Sequence, residues 1–243
     1  MVLFAPILIL GQDQIVPSIE KVPLPDSLKK TGIITKTMTF SKESLRFSKR
    51  KLYNAEPKYK NKKWDIVELK GIGSSAGELS KPSLPVNTIK VAIPWATKIV
   101  SIEALPQDSF VVPRKYDLIP GEAPERSYLP RPGEQISESF KNFPDSTIYN
   151  LSTPYPDTVI KLLNEGDLLG QGLAWFTIYP MIYIPIKGKL ILFTKIKLEI
   201  TYGPRPYIPI EKPLKSYMPE MIKILEEIKN SVINPEDVKI PTQ

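Results

Sequence analysis

The sequence predicts an all-β protein, an antiparallel two-sheet β-sandwich with a long Pro-rich loop and a C-terminal amphipathic helix. Three observations point there. The 243 residues include 26 prolines against 12 glycines, which suits strands joined by stiff extended connections better than a helix bundle. Short runs alternate apolar and polar side chains at the strand period of two. No segment of helical periodicity intervenes until late in the chain. A hydrophobic content of 42% supplies enough apolar surface for a core.

Residues 1–11 are an apolar run about as long as the core of a signal peptide, too short to span a bilayer and lacking the positive start. A clipped or atypical signal is the expectation, and with it export. Residues 12–30 read as an extended, proline-stiffened lead-in, and the sandwich is expected over 31–204. It opens with TGIITKTMTF, where Ile34, Lys36, Met38 and Phe40 share one side and Ile33, Thr35, Thr37 and Thr39 the other. LRFSKRKLY is expected to return beside it after the polar SKES turn, and WDIVELKG follows as the next strand. The loop GIGSSAGELS lacks the glycine spacing and the lysine of a phosphate cradle and reads as a turn.

Ile89, Val91 and Ile93 alternate against Lys90 and Ala92 before Pro94 ends the run. After PWAT, residues 98–105 place Ile99, Ser101, Glu103 and Leu105 on one face, and the short joint implies that the two strands pair. Residues 113–158 contain eight prolines and read as a surface excursion anchored by Ile119, Tyr128, Leu129 and Phe143. A loop of this length in a compact domain is the first place to look for function. Residues 173–183 and 190–202 are expected to form a hairpin that turns at Gly188, with Leu190, Leu192, Ile196, Leu198, Ile200 and Tyr202 on the core face. Pro180 and Pro185 belong at a bulge or edge of the incoming strand, where a missing N–H costs little. Over 205–243, Ser216 is the expected N-cap of a helix whose stripe is Met221, Ile224, Leu225, Ile228 and Val232, stopped by Asn234-Pro235.

The chain has neither cysteine nor histidine. This excludes a thiolate nucleophile, a Ser-His or Cys-His pair and a His/Cys zinc site. No cofactor or metal is expected. Carboxylate pairs remain, but a chain with 26 Asp and Glu brings some together by chance, so a glycosidase ranks low. The formal charge is +7, and residues 41–63 hold nine basic side chains against Glu43 and Glu56. One tyrosine in KYKNKK is too little aromatic interleaving for a nucleic-acid groove, so this stretch reads as a solvated basic loop.

SKPSLPV, a strand ending VAIP, a Pro-rich excursion with YPDTVI, and LLGQGLAWFTIYPMIYIPIKGKLILFTKIKLEITYG occur in that order. The order resembles the propeptide domain of gingipain-like cysteine peptidases, peptidase family C25. The matching positions are residues 82–86, Ile93-Pro94, residues 170–172, Pro180 and residues 183–185, and INPEDV at 233–238 looks like the family's link into its catalytic domain. The resemblance implies a non-catalytic prosegment that assists folding and holds a cysteine peptidase latent by covering its cleft, in cis or in trans. It also implies that 205–243 leads toward that domain. A latency loop needs a basic side chain where the partner prefers Arg or Lys, and Arg126 and Arg131, with Arg114 behind them, are the candidates. The alternative is an exported β-sandwich that binds carbohydrate or protein, with Trp64, Trp95 and Trp175 as stacking surfaces.

Overall fold

A computed structural model describes residues 23–72, 78–123, 141–207 and 218–240. Among the described residues nine strands carry the fold: β1 Gly32–Thr39, β2 Leu45–Arg50, β3 Trp64–Leu69, β4 Asn87–Ile93, β5 Thr97–Val111, β6 Ile160–Leu168, β7 Gln171–Ile178, β8 Met181–Ile184 and β9 Lys189–Pro204. The helices are a single turn, α1 Ser146–Tyr149, and α2 Pro219–Ser231. One antiparallel sheet runs β1-β9-β5 with β8 also on β9, a second runs β4-β7-β6, and β2 and β3 make a separate ribbon. Side chains from both larger sheets meet in one hydrophobic cluster that includes Ile89, Val91, Phe176, Leu190, Ile196 and Leu198. The antiparallel all-β architecture is therefore as expected.

Strand β9 buries Leu190, Leu192, Ile196, Leu198 and Ile200 completely, as the alternation requires. Its turn is also as read. Gly188 sits at φ 59°, and a Cβ there would stand 2.9 Å from the Tyr116 carbonyl oxygen. The incoming strand differs from the expected one. It breaks at Tyr179-Pro180, and its halves belong to different sheets, β7 with β4 and β6, β8 with β9. Pro180 lies at this crossover, where its carbonyl accepts the Phe193 N–H at 2.8 Å and no ladder donor is needed from it. Pro185 begins the tight 3-10 turn before Gly188.

Three pairings also differ. LRFSKR pairs with β3, not with β1. Strands β4 and β5 do not pair, because PWAT is a corner from one sheet to the other, with Ala96 at φ 64° and the Thr97 N–H on the Pro94 carbonyl at 3.2 Å. Within β5 the register jumps between Ile99 and Ser101. Val100 is the extra residue, and the bulge reverses the facing, so Ile102 and Ala104 pack on the core while Glu103 and Leu105 face water.

The expected surface excursion is partly built into the body. Tyr116, Leu118 and Ile119 are buried, and this segment is bonded alongside β3, the Ile119 N–H donating to the Asp65 carbonyl at 2.9 Å and the Asp65 N–H to the Asp117 carbonyl at 2.8 Å. Tyr128 and Leu129 lie outside the described residues, as does Ser216. Helix α2 instead has Met218 at its N-cap with no side-chain cap. Of the expected stripe, Leu225, Ile228 and Val232 are covered by this chain's own sheet, packing with Ala92 and Leu173, while Ile224 is exposed because it lies to the side of that contact. Behind it, Asn234 is fully buried against the edge of β4. Its Oδ1 accepts the Ala92 N–H at 2.9 Å, and its Nδ2 donates to the Ala92 carbonyl at 2.7 Å and to Asp237 Oδ2 at 2.6 Å. Gln171 continues the seam, donating to the Ile93 carbonyl and accepting the Lys239 N–H. No helix among the described residues is long and apolar enough to cross a membrane.

Two predictions follow from this packing. Asn234→Ala strands both backbone groups of Ala92 in a dry place, and urea unfolding should show a loss of about 2–4 kcal/mol. The second concerns pH. Burial pushes Tyr183 up to about 12 and raises Tyr149 and Tyr155 as well, while the Tyr183 and Tyr149 hydroxyls donate to the Tyr116 and Leu118 carbonyls at 2.8 Å. A free tyrosine ionises near pH ~10. The folded state thus holds protons that the unfolded chain releases, so their contribution is complete below that point and declines as pH rises toward about 12. Unfolding midpoints followed through that window should drop together with the appearance of tyrosinate absorbance.

Candidate functional site

Strand β2 carries Arg46, Lys49 and Arg50, and apart from Leu45 all of its side chains are exposed. Among the described residues it pairs with β3 alone. The register sets Lys49 opposite Asp65, and Arg50 opposite Trp64. Within the stretch from 41 to 63, residues 45–50 are therefore an edge strand, and 51–63 is the connection to β3, with a short 3-10 turn at Pro57–Tyr59.

Asp65 organises this ribbon. Its side chain is 4% exposed, and Oδ2 accepts the Asp117 N–H at 2.8 Å. Oδ1 lies 3.4 Å from both Lys49 Nζ and Arg114 Nη2. Arg114 stacks above the Tyr116 ring at 4.6 Å, and that ring stacks on Phe47 at 5.0 Å. Its backbone is in the left-handed region, φ 71°, which costs a non-glycine residue about 1 kcal/mol or more. The side chain is nevertheless 52% exposed. Lys62 Nζ lies 3.7 Å above the Trp64 ring and 2.6 Å from Asp117 Oδ2. Trp64 itself is 1% exposed, packed with Leu52, Ile119 and Tyr149.

The segment that carries two of the three candidate arginines is rooted on this ribbon. Asn142 is buried, and its Oδ1 accepts the Ala123 N–H at 2.9 Å while its Nδ2 donates to the Tyr53 carbonyl at 2.7 Å. Its backbone exchanges bonds with Asn54 and Glu56 at 3.0 Å. Glu122 accepts from Arg50 and from the Tyr53 N–H. The chain therefore leaves at Ala123 and returns at Asn142 in one place, beside residues 50–56. Arg126 and Arg131 lie outside the described residues. Arg114 belongs to the ribbon itself. Sequence reasoning missed Asn142, Glu122 and Asp65, because an isolated Asn or acid carries no spacing signal and its partners are 50 to 90 positions away.

The three tryptophans do not form an exposed platform. Trp64 is buried, Trp95 is half-buried, and Trp175 packs beside the cluster under α2.

The Propeptide_C25 family model matches residues 46–233. No curated protein matches the chain. Among solved structures, a Porphyromonas gingivalis chain described as "Complex of Porphyromonas gingivalis RgpB pro- and mature domains" is 13% identical, with TM-score 0.56, covering 84% of this chain and 93% of that one. A second, described as "Structural insight into zymogenic latency of gingipain K from Porphyromonas gingivalis", is 16% identical, with TM-score 0.51, covering 75% and 97%. At these identities the likeness is one of fold.

Strain and contact at Arg114 can be separated. Arg114→Gly and Arg114→Ala both lose the stacking and the ion pair, but only glycine relaxes φ 71°. Thermal unfolding should place the glycine variant about 1 kcal/mol above the alanine variant. Equal stabilities would mean that the left-handed backbone stores no strain.

Proposed function

The chain belongs to the Propeptide_C25 family, and from that premise we propose that it is the non-catalytic prosegment of a gingipain-like cysteine peptidase, assisting its folding and keeping it latent by covering the active-site cleft. The family match over most of the chain carries this reading. The sequence is consistent with it, since a chain without cysteine or histidine lacks the Cys-His dyad of a cysteine peptidase. The described relatives include a complex of pro- and mature domains and a study of zymogenic latency, and both ideas are taken over here as proposals for this chain. Export goes with the same proposal, as does a route from residues 205–243 into a catalytic domain. The binding-module alternative has no support in the placement of the tryptophans.

Latency by this route asks for a side chain in the partner's specificity pocket. Arg126 and Arg131 are the proposed pair, on the segment rooted at Ala123 and Asn142. A guanidinium entering a pocket with a buried carboxylate makes a paired, charge-assisted contact that lysine or glutamine cannot reproduce. The two sites differ in chemistry. Arg131 precedes Pro132, which would resist cleavage at that bond, as an inhibitor requires; Arg126 precedes Ser127, as an activation site requires. The test is inhibition of the cognate catalytic domain by the purified chain. Reversing both charges, Arg126→Glu with Arg131→Glu, should weaken inhibition about 100-fold or more, because each reversal strands a buried carboxylate. Unchanged inhibition would remove both arginines from the mechanism.

A further inference from the structure

Resting on that reading, we infer that the β2–β3 ribbon is a docking surface for an acidic face on the peptidase catalytic domain, distinct from any contact inside the cleft. The first argument is the arrangement of charge. Two of the carboxylates that hold these cations are turned inward, Asp65 at 4% and Glu122 at 14% exposed, while their partners Lys49, Arg50 and Arg114 stand about half exposed; Glu68 on β3 and Asp117 do reach solvent, and they are outnumbered by the cations around them. Lys51, Lys60 and Lys63 are exposed beside them, and none makes an ion pair with a described carboxylate. The outer face is thus positive although its inner side is paired.

The second argument is preorganisation. Arg114 is held by Tyr116 and Asp65, and Lys62 by Trp64 and Asp117. Cations already fixed lose less side-chain freedom when a partner arrives. The third is position. Glu122 and Asn142 are both fastened beside the ribbon, Glu122 to Arg50 at the end of β2 and to the Tyr53 N–H, and Asn142 to the Tyr53 carbonyl, so the basic side chains stand next to the described residues that flank the candidate arginines.

Other occupants fit less well. The aromatic faces are covered, Trp64 by Lys62 and the Phe47–Tyr116 stack by Arg114, which leaves no bare ring for a nucleic-acid base. A second copy pairing along β2 would set Arg46, Lys49 and Arg50 against the same cations. An acidic protein surface satisfies the charge without needing the rings.

The experiment compares two charge-reversed variants for binding to the cognate catalytic domain by stopped flow. The ribbon variant carries Lys51→Glu, Lys60→Glu and Lys63→Glu; the control carries Lys195→Glu, Lys223→Glu and Lys229→Glu, on β9 and α2. These side chains hold no buried partner, and matched thermal unfolding confirms that both variants fold; Lys→Gln versions replace any that do not. The ribbon variant should associate about ten-fold more slowly, with a shallower salt dependence and a dissociation rate within about two-fold of the parent. Carbodiimide cross-linking of the parent complex should join ribbon lysines, and not Lys195, Lys223 or Lys229, to carboxylates of the catalytic domain. Equal association rates for the two variants overturn the docking surface and leave the prosegment reading standing. So does loss of single-stranded DNA binding by the ribbon variant with peptidase association unchanged, which would assign the ribbon to nucleic acid. No binding of the parent chain to the catalytic domain overturns both readings.

Discussion

The two-sided pairing of β9 is the constraint on which the rest of the molecule depends. From Lys195 to Tyr202 it is bonded to β1 on one side and β5 on the other, and β8 takes the place of β1 nearer the turn. A strand held on both sides cannot slip without moving Leu190, Leu192, Ile196, Leu198 and Ile200 out of the core together, at about 1.5–3 kcal/mol for each side chain exposed. That register fixes the turn at Gly188. Gly188 in turn accepts the Tyr116 N–H at 2.8 Å, and Tyr183 on β8 donates to the Tyr116 carbonyl. Tyr116 is the ring on which Arg114 stacks, and its neighbour Asp117 is bonded to Asp65. A line of hydrogen bonds therefore runs from the strand paired on both sides to the charged ribbon.

The placement of that surface is equally specific. The ribbon pairs with neither larger sheet; β3 still buries Val67 and Leu69 in the common core, while β2 beyond Leu45 is exposed and can carry charge on both faces. The edge of β4 is closed by different means. Asn234 mimics a paired strand at the edge of β4, and α2 covers the outer side of β4 and β7. Gly172 marks how close the chains come there, since a Cβ on it would meet the Ile93 carbonyl oxygen at 2.9 Å. One edge is sealed while the other is left exposed and charged. That asymmetry suits a protein that offers one side to a partner.

Periodicity made the strands of the body legible, and β1, β4 and β9 face the core as their alternation predicts. Pairing was less legible, because alternation says which way a side chain points and nothing about which strand lies beside it. The two errors at PWAT and Tyr179-Pro180 have one physical origin. A proline between two apolar runs ends a strand either to turn it back or to send it to the facing sheet, and local sequence is the same in both cases. The bulge at Val100 was invisible for a related reason, since one unpaired residue shifts facing without altering composition. At the candidate site, the positive charge could be read from residues 41–63, but the acids that shape it could not. Asp65 and Glu122 lie far along the chain from Arg114 and Arg50, and only the folded register brings each pair together.

The inward turn of those acids also explains how so many cations coexist on one edge. Eleven basic residues, counting Arg114 and Lys115 with the nine of 41–63, would repel one another on an unpaired strand. Asp65 and Glu122 relieve this from below, where lower solvent exposure strengthens each attraction, and Asp117 pairs with Lys62 in solvent, while the outward potential is screened over about 8 Å at physiological salt. Such a surface acts at short range. It can orient a partner that has already come near while adding little to the final affinity, so on the proposed reading the rate of capture and the residence time of a peptidase would be set by different residues.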